Sequence, residues 1–248
     1  MCGCHVHVGV RDPELAIEVL NRVRAWVPLL VALSTNSPYW MGHDTHYASY
    51  RTQVFHRWPT SGIPEHLADR ADYDDVVRDL TAIGAIDGPA RLYWDVRPSA
   101  RYPTLEFRAC DVLTTVEEST ALAALVRALV QTLHAEAAAG RDHEVVRPEV
   151  LRSALWRASR YGMAAKLVDP LAKRLVPAPE LLGQLLDQVR PVLEDRGELD
   201  GVVSTLGFIL REGTGADRQR RAASASTDHL PLRTVVERAA IATSAAVL

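Results

Sequence analysis

The chain is short of cysteine and lysine and has no long apolar run. Its cysteines, Cys2, Cys4 and Cys110, are odd in number and two of them are close neighbours, which argues against a disulfide framework and favours a reducing compartment. No apolar run approaches the roughly 18 residues that a membrane span needs, and no secretory signal pattern opens the chain. We therefore expect a cytoplasmic protein without a membrane partner.

Positive charge comes almost entirely from arginine, because Lys166 and Lys173 are the only lysines among the 28 Lys and Arg residues. The net charge at pH 7 is −3, which argues against a nucleic-acid partner bound by a basic surface. With 48% apolar and 24% charged residues, the 248-residue chain has the composition of a globular protein that can bury a substantial core.

Three short segments alternate polar and apolar residues with the period of a β-strand. Side chains two apart in a strand share a face. Each segment thus places two polar side chains on one face: His5 and His7, Asp95 and Arg97, Glu106 and Arg108. Side by side, these strands would form a sheet with one apolar face and one polar face. The polar face suits an anionic substrate and a divalent cation.

The periodicity changes along the chain and predicts an α+β fold. We expect one domain over residues 1–248, with a sheet-rich part at 1–111 and a helical part at 112–248. The sheet is antiparallel, with residues 91–109 as a hairpin, and helices cover its apolar face. Helical spacing of apolar residues predicts helices over 116–139, 147–160, 179–195, 199–211 and 232–246.

Three further segments have less regular patterns. Asp12 and Pro13 start a helix that we expect to bend at Pro28 and to end before Pro38. Weak periodicity over 39–75 predicts a long, partly ordered loop region. Residues 213–221 are interpreted as a polar interruption between the last two helices.

Each candidate site also has a simpler interpretation. Two histidines on a strand can be ordinary half-buried residues, and Glu106 with Arg108 can be a surface ion pair of little energetic value. Cys2 and Cys4 beside the histidines suggest a zinc site, but all four would lie in a line along one edge. A structural zinc site normally draws on two separated ligand pairs.

Six stretches together carry a family resemblance. They are Cys4–Gly9, Ala32–Trp40, Ser49–Arg51, Trp94–Ser99, Leu105–Asp111 and Gly213–Arg220. In this order they resemble the carboxylate–amine ligase family, the type 2 glutamate–cysteine ligase group. More distantly, the His-x-His and Glu-x-Arg strands resemble the catalytic sheet of glutamine synthetase.

The resemblance implies ATP-dependent formation of an amide from a carboxylate such as glutamate and an amine such as cysteine, through an acyl phosphate. It implies ATP and Mg²⁺ as cofactors. His5 and Glu106 would bind the metal and His7 the nucleotide, and Arg51 would bind the nucleotide or a substrate carboxylate. Arg97 and Arg108 would neutralise charge on the transferring phosphate.

The family pattern also includes an earlier acidic strand that supplies further ligands, and we expect this part to be missing from the chain. The alternative to an active ligase is therefore an inactive fragment or a subunit of a split ligase that acts by binding a partner at the sheet edge. A homodimer is a further expectation. A third hypothesis is a hydrolase with a metal at His5 and His7.

Overall fold

The computed structural model describes residues 2–226 and 231–244. The strands in these residues are β1 (Val6–Gly9), β2 (Tyr39–Trp40), β3 (His43–Asp44), β4 (Ser61–Gly62), β5 (Tyr93–Trp94), β6 (Val96–Pro98), β7 (Thr104–Phe107), β8 (Leu167–Asp169) and β9 (Arg174–Val176). The α-helices are α1 (Pro13–Val23), α2 (Val27–Ser34), α3 (Tyr50–Phe55), α4 (Arg70–Ala82), α5 (Val116–Ala138), α6 (Pro148–Tyr161), α7 (Ala178–Asp195), α8 (Leu199–Glu212), α9 (Gly215–Ser224) and α10 (Pro231–Ser244).

The three predicted polar–apolar segments form one antiparallel sheet, in the order β1–β7–β6. Glu106 on the central strand pairs with His7 on one side and with Arg97 on the other. The hairpin between β6 and β7 is confirmed, and so is the α+β fold class. Because the strands are in this register, the polar residues lie in rows across the sheet.

The apolar face of the sheet packs on helices α1 and α5. Leu105 and Val96 are fully buried there, and they contact a core that continues through the C-terminal helices to Ile209. Each fully buried aliphatic side chain of this kind contributes roughly 2 kcal/mol of transfer free energy. The expectation that helices cover the apolar face is confirmed, although α1 belongs to the N-terminal half. The single domain stays a prediction.

The first predicted helix is interrupted rather than bent. Helix α1 ends at Val23, and α2 begins at Val27 with Pro28 in its first turn. Pro28 has no N–H to donate to the carbonyl of Arg24, and its ring would clash with that carbonyl in a continuous helix. In a first turn the missing N–H costs nothing, so the chain starts a second helix.

Two other expectations on regular structure are wrong. Residues 39–75 contain β2, β3, α3, β4 and the start of α4 instead of a long loop. Residues 215–224 form helix α9, where we expected an interruption. The Asp217 carboxylate accepts hydrogen bonds from the N–H and Oγ1 of Thr214, and these bonds cap the start of the helix. The five predicted C-terminal helices are present, except that residues 245 and 246 of the last lie outside the described part.

Among the described residues, no helix is long and apolar enough to cross a membrane.

Candidate active site

Glu106 is the centre of the polar face. Its Oε2 accepts a hydrogen bond of 2.9 Å from Arg97 Nε, and its Oε1 accepts one of 2.7 Å from Arg108 Nη1. The same Oε1 lies 3.2 Å from His5 Nδ1 and 3.7 Å from His7 Nε2. Five of the six predicted site residues therefore meet here: Glu106 and, around its carboxylate, Arg97, Arg108, His5 and His7.

Arg97 is buried and its guanidinium is shared between Glu106 and the backbone. Nη1 donates to the carbonyl oxygens of Ala90, at 2.8 Å, and of Leu92. These bonds fix the turn before β5 against the sheet. Because Arg97 has most of its donors bound inside the protein, it acts here to orient Glu106.

Burial opposes ionisation at both ends of the Glu106–Arg108 pair. Burial raises the pKa of Glu106, but the hydrogen bond from Arg97 and the charge of Arg108 outweigh it, and the net pKa is lowered. Burial and the nearby Arg97 lower the pKa of Arg108, whose Nε has no hydrogen-bond partner among the described residues. Glu106 is thus held as a carboxylate, and the Nε of Arg108 is a buried donor without a partner among the described residues.

The two histidines are the exposed part of the cluster, with 38% of each side chain accessible. Burial and the charge of Arg108 lower the pKa of His5, so its imidazole is neutral at pH 7 and able to bind a cation. His7 Nδ1 lies 3.0 Å from Thr104 Oγ1 across the sheet.

Arg51, on α3, lies apart from Glu106, and its guanidinium reaches the backbone that follows β7. Its guanidinium donates to the carbonyl oxygens of Ala109 and Arg108, each at 2.9 Å. A Cβ on Gly3 would overlap this guanidinium, so the close approach of the N-terminal segment requires glycine. With only 7% of its side chain exposed, Arg51 supplies charge and fixes the wall of a neighbouring cleft.

Asp111 is the residue that the sequence interpretation missed. Its carboxylate accepts hydrogen bonds from the N–H of Asn36 at 2.9 Å, from Ser37 Oγ at 2.7 Å and from Ser49 Oγ at 2.9 Å. The signal was present, because the stretches that carry the family resemblance contain all four residues. Their convergence depends on contacts between distant segments and could not be read from spacing.

A cleft of about 280 Å³ lies beside Asp111. Arg51 and Cys2 line it together with the aromatic residues Trp40 and Tyr50, whose ring centroids lie 5.9 Å apart. The cleft thus has an apolar wall of aromatic rings and a polar wall with a buried guanidinium and a carboxylate that accepts bonds from hydroxyls. A cleft that combines apolar and polar walls in this way is typical of small-molecule sites.

Cys2, Cys4 and Cys110 are free thiols. Burial raises the pKa of the Cys110 thiol to about 12, so it is inert. Within residues 2–226 and 231–244, no group of three or more His, Cys, Asp or Glu residues is arranged to hold a metal ion. The alternative of a zinc site at Cys2, Cys4, His5 and His7 thus gains no support from the described residues.

Comparisons with known proteins place these features in a family. The family model of glutamate–cysteine ligase family 2 matches residues 1–238. A relative from Rhodopirellula baltica, named "Putative glutamate–cysteine ligase 2", is 47% identical over 225 residues, which are 91% of this chain and 60% of that protein. A relative from Frankia alni, named "Putative glutamate–cysteine ligase 2-2", is 48% identical over 221 residues, 89% of this chain and 58% of that protein.

The fold also resembles a solved structure, a glutamate–cysteine ligase from Francisella tularensis in complex with AMP. The TM-score is 0.61 at 13% sequence identity, over 95% of this chain and 63% of that one. The chain spans about 60% of the length of the curated relatives it matches. Sequence and fold agree, and the chain belongs to glutamate–cysteine ligase family 2.

Proposed function

We propose that the chain is the catalytic part of an ATP-dependent carboxylate–amine ligase of the glutamate–cysteine type, which forms the amide through an acyl phosphate. The observation that carries this proposal is the Glu106 carboxylate, held on the polar face of the sheet between the guanidinium groups of buried Arg97 and partly buried Arg108. The family membership and the AMP complex of the solved relative support a nucleotide substrate.

The chemistry explains the residue types. A substrate carboxylate oxygen forms a bond to the γ-phosphorus of ATP, and ADP leaves with the electrons of the broken P–O bond. Negative charge gathers on the transferring oxygens, and a preorganised cation nearby stabilises it. Arg108 is the candidate for this contact, since its guanidinium bonds to Glu106 through Nη1 and 11% of its side chain is exposed. Arg97 keeps Glu106 in place.

Magnesium fits this site as an ion shared with the nucleotide. Glu106 and the neutral His5 provide one carboxylate and one imidazole, and Mg²⁺ commonly takes one or two protein ligands and completes its shell with phosphate oxygens and water. When bound, the ion would neutralise charge on the phosphates. We propose His7 and Arg51 as residues near the nucleotide, Arg51 through the cleft that contains Trp40 and Tyr50.

The test is stabilisation by Mg·ATP. The melting temperature of the parent chain should rise with Mg·ATP and not with ATP plus a chelator, and Glu106→Gln should abolish this rise. The matched control is Glu149→Gln, an exposed position on α6, which should keep it. If Glu106→Gln gains as much as the parent, the metal assignment is wrong.

A second candidate is a subunit that binds a partner strand. Within the described residues β1 pairs only with β7. The N–H groups of Cys4 and Val10 bond to the chain flanking β7, so those of His5, His7 and Gly9 point to the outer edge. This candidate predicts self-association of the isolated chain and no stabilisation by nucleotide, and a monomer that turns over ATP contradicts it.

A further inference from the structure

A second group of polar side chains lies beside the polar face, around a cavity of about 360 Å³ between α3, α6 and β4. His56, which follows the last residue of α3, lines the cavity together with Gln53. Arg24, Glu65 and Arg152 also line it. The function proposed above uses none of these residues.

Asp95 lies behind His56 and is 2% exposed. Its Oδ1 and Oδ2 lie 3.4 and 3.3 Å from His56 Nε2, and Oδ2 has no hydrogen bond within residues 2–226 and 231–244. A buried carboxylate with so few donors is costly, which calls for a functional reason. The Asp95 carboxylate favours the tautomer with hydrogen on Nε2, and this leaves Nδ1 as a proton acceptor.

The backbone of Asp95 connects this cavity to the Glu106 site. Its carbonyl accepts a hydrogen bond of 2.7 Å from the N–H of Arg108, and its N–H donates to the carbonyl of Gly62 at 2.8 Å. Arg108 in turn binds Glu106. The wall of the cavity and the polar face of the sheet are therefore adjacent parts of one backbone network.

The cavity carries both signs of charge. Arg152 Nη1 lies 3.6 Å from Glu65 Oε1, and 65% of each side chain is exposed. An exposed pair of this kind is weak, so a ligand can replace it at little cost. A zwitterion fits this pair, with its carboxylate on the Arg152 guanidinium and its ammonium on the Glu65 carboxylate.

We propose that this cavity binds the amine-bearing amino acid of the ligation and that His56 accepts the proton of its ammonium group. This inference rests on the proposed ligase function. The proton moves from nitrogen to His56 Nδ1, and the free amine forms the C–N bond to the acyl carbon. The C–O bond to phosphate breaks, and the phosphate leaves with its electrons and takes the second proton of the nitrogen. Asp95 is a positioning residue, because it acts through the imidazole.

The first experiment compares two nucleophiles in the parent chain and in His56→Gln, with ATP, Mg²⁺ and glutamate present. Cysteine needs a base because its amine is protonated at neutral pH, whereas hydroxylamine is largely unprotonated and needs none. We expect His56→Gln to lose about 10²- to 10⁴-fold in amide formation with cysteine and to keep hydroxamate formation near the parent rate. Asp95→Asn should show the same split with a smaller loss.

Two results overturn the assignment of His56. One is full activity of His56→Gln with cysteine; the other is an equal loss with both nucleophiles, which indicates damage to the fold or to phosphoryl transfer. If the parent forms neither product, the proposed ligase function fails for this chain. The binding experiment then decides alone whether the cavity binds the amino acid.

The binding experiment uses calorimetry with cysteine, cysteamine, which lacks the carboxylate, and 3-mercaptopropionate, which lacks the ammonium. We expect cysteine to bind more than tenfold tighter than either analogue. In Glu65→Gln, cysteine should no longer bind more tightly than 3-mercaptopropionate. Glu149 also lies near Arg152 but does not line the cavity, so Glu149→Gln should keep the tighter binding of cysteine. Equal binding of the three compounds, or no binding of cysteine to the parent, overturns the proposed cavity.

Discussion

Arg97 and Glu106 face each other across β6 and β7, and a hydrogen bond of 2.9 Å joins Nε to Oε2 although both side chains are buried. In such a pair each charge depends on the other, because less than a tenth of each side chain is exposed to water. The pair therefore sets the position of the carboxylate and also limits which substitutions the sheet can tolerate.

Arg97→Gln should lower the free energy of unfolding by about 3 kcal/mol, because it leaves Glu106 with one guanidinium and removes the bonds to the Ala90 and Leu92 carbonyls. Arg78→Gln is the control, since Arg78 forms its ion pairs on the exposed face of α4. Its effect on stability should be close to zero, because solvent screens an exposed ion pair of this kind. Urea denaturation measures both, and equal midpoints for the two variants would contradict the structural role of Arg97.

Asp44→Asn should lower stability by about 1 kcal/mol at pH 7 and remove part of its acid dependence. Asp44 binds the Arg220 guanidinium through both oxygens, at 2.7 and 2.8 Å, and thereby fastens α9 to β3. The hydrogen bond from Arg220 lowers the pKa of Asp44, although burial opposes the shift.

Because the folded state lowers this pKa, the pair stabilises the fold fully above the unfolded pKa of Asp, near 4. That contribution is lost as the pH falls through the lower pKa of the folded state. Denaturation curves of the parent and of Asp44→Asn should therefore differ at pH 7 and converge toward pH 2. A difference that stays constant over this range would exclude the ion pair as its cause.

Gly215→Ala should destabilise the protein by about 1–3 kcal/mol, because an added Cβ would overlap Asn36 Oδ1 and lie 2.9 Å from Thr114 Oγ1. Gly183→Ala is the matched control inside α7, where a Cβ meets nothing within 4 Å. That change should raise stability by up to about 1 kcal/mol through helix propensity. Thermal unfolding of the two variants should thus shift in opposite directions, and a shift of the same sign would show that α9 can move away from Asn36.

Local rules were enough to predict the polar sheet. The alternation at His5 and His7 and at Glu106 and Arg108 has the strict period of a strand, and one buried face fixes the register. Residues of different segments could therefore be placed on one face before any contact was known.

Other elements were missed because their sequences carry no such signal. Helix α9 buries little more than Gly215, Ala216 and Ala222, so it lacks an apolar stripe; only the spacing of Thr214 and Asp217 marked its start. Strands β8 and β9 have three residues each, too few for a periodicity to be recognised. His56 and Asp95 meet through tertiary packing, which spacing cannot reveal.

The Asp111 cluster has a consequence for the kinetics of folding. Its bonds join Asp111 to Asn36 and Ser49, which are 75 and 62 positions away, and Asn36 is bound in turn by Gln219, 183 positions away. Closing loops of this length costs conformational entropy that a few hydrogen bonds cannot offset, so the core must assemble first. The cluster therefore forms late, and substitutions in it should speed unfolding more than they slow folding.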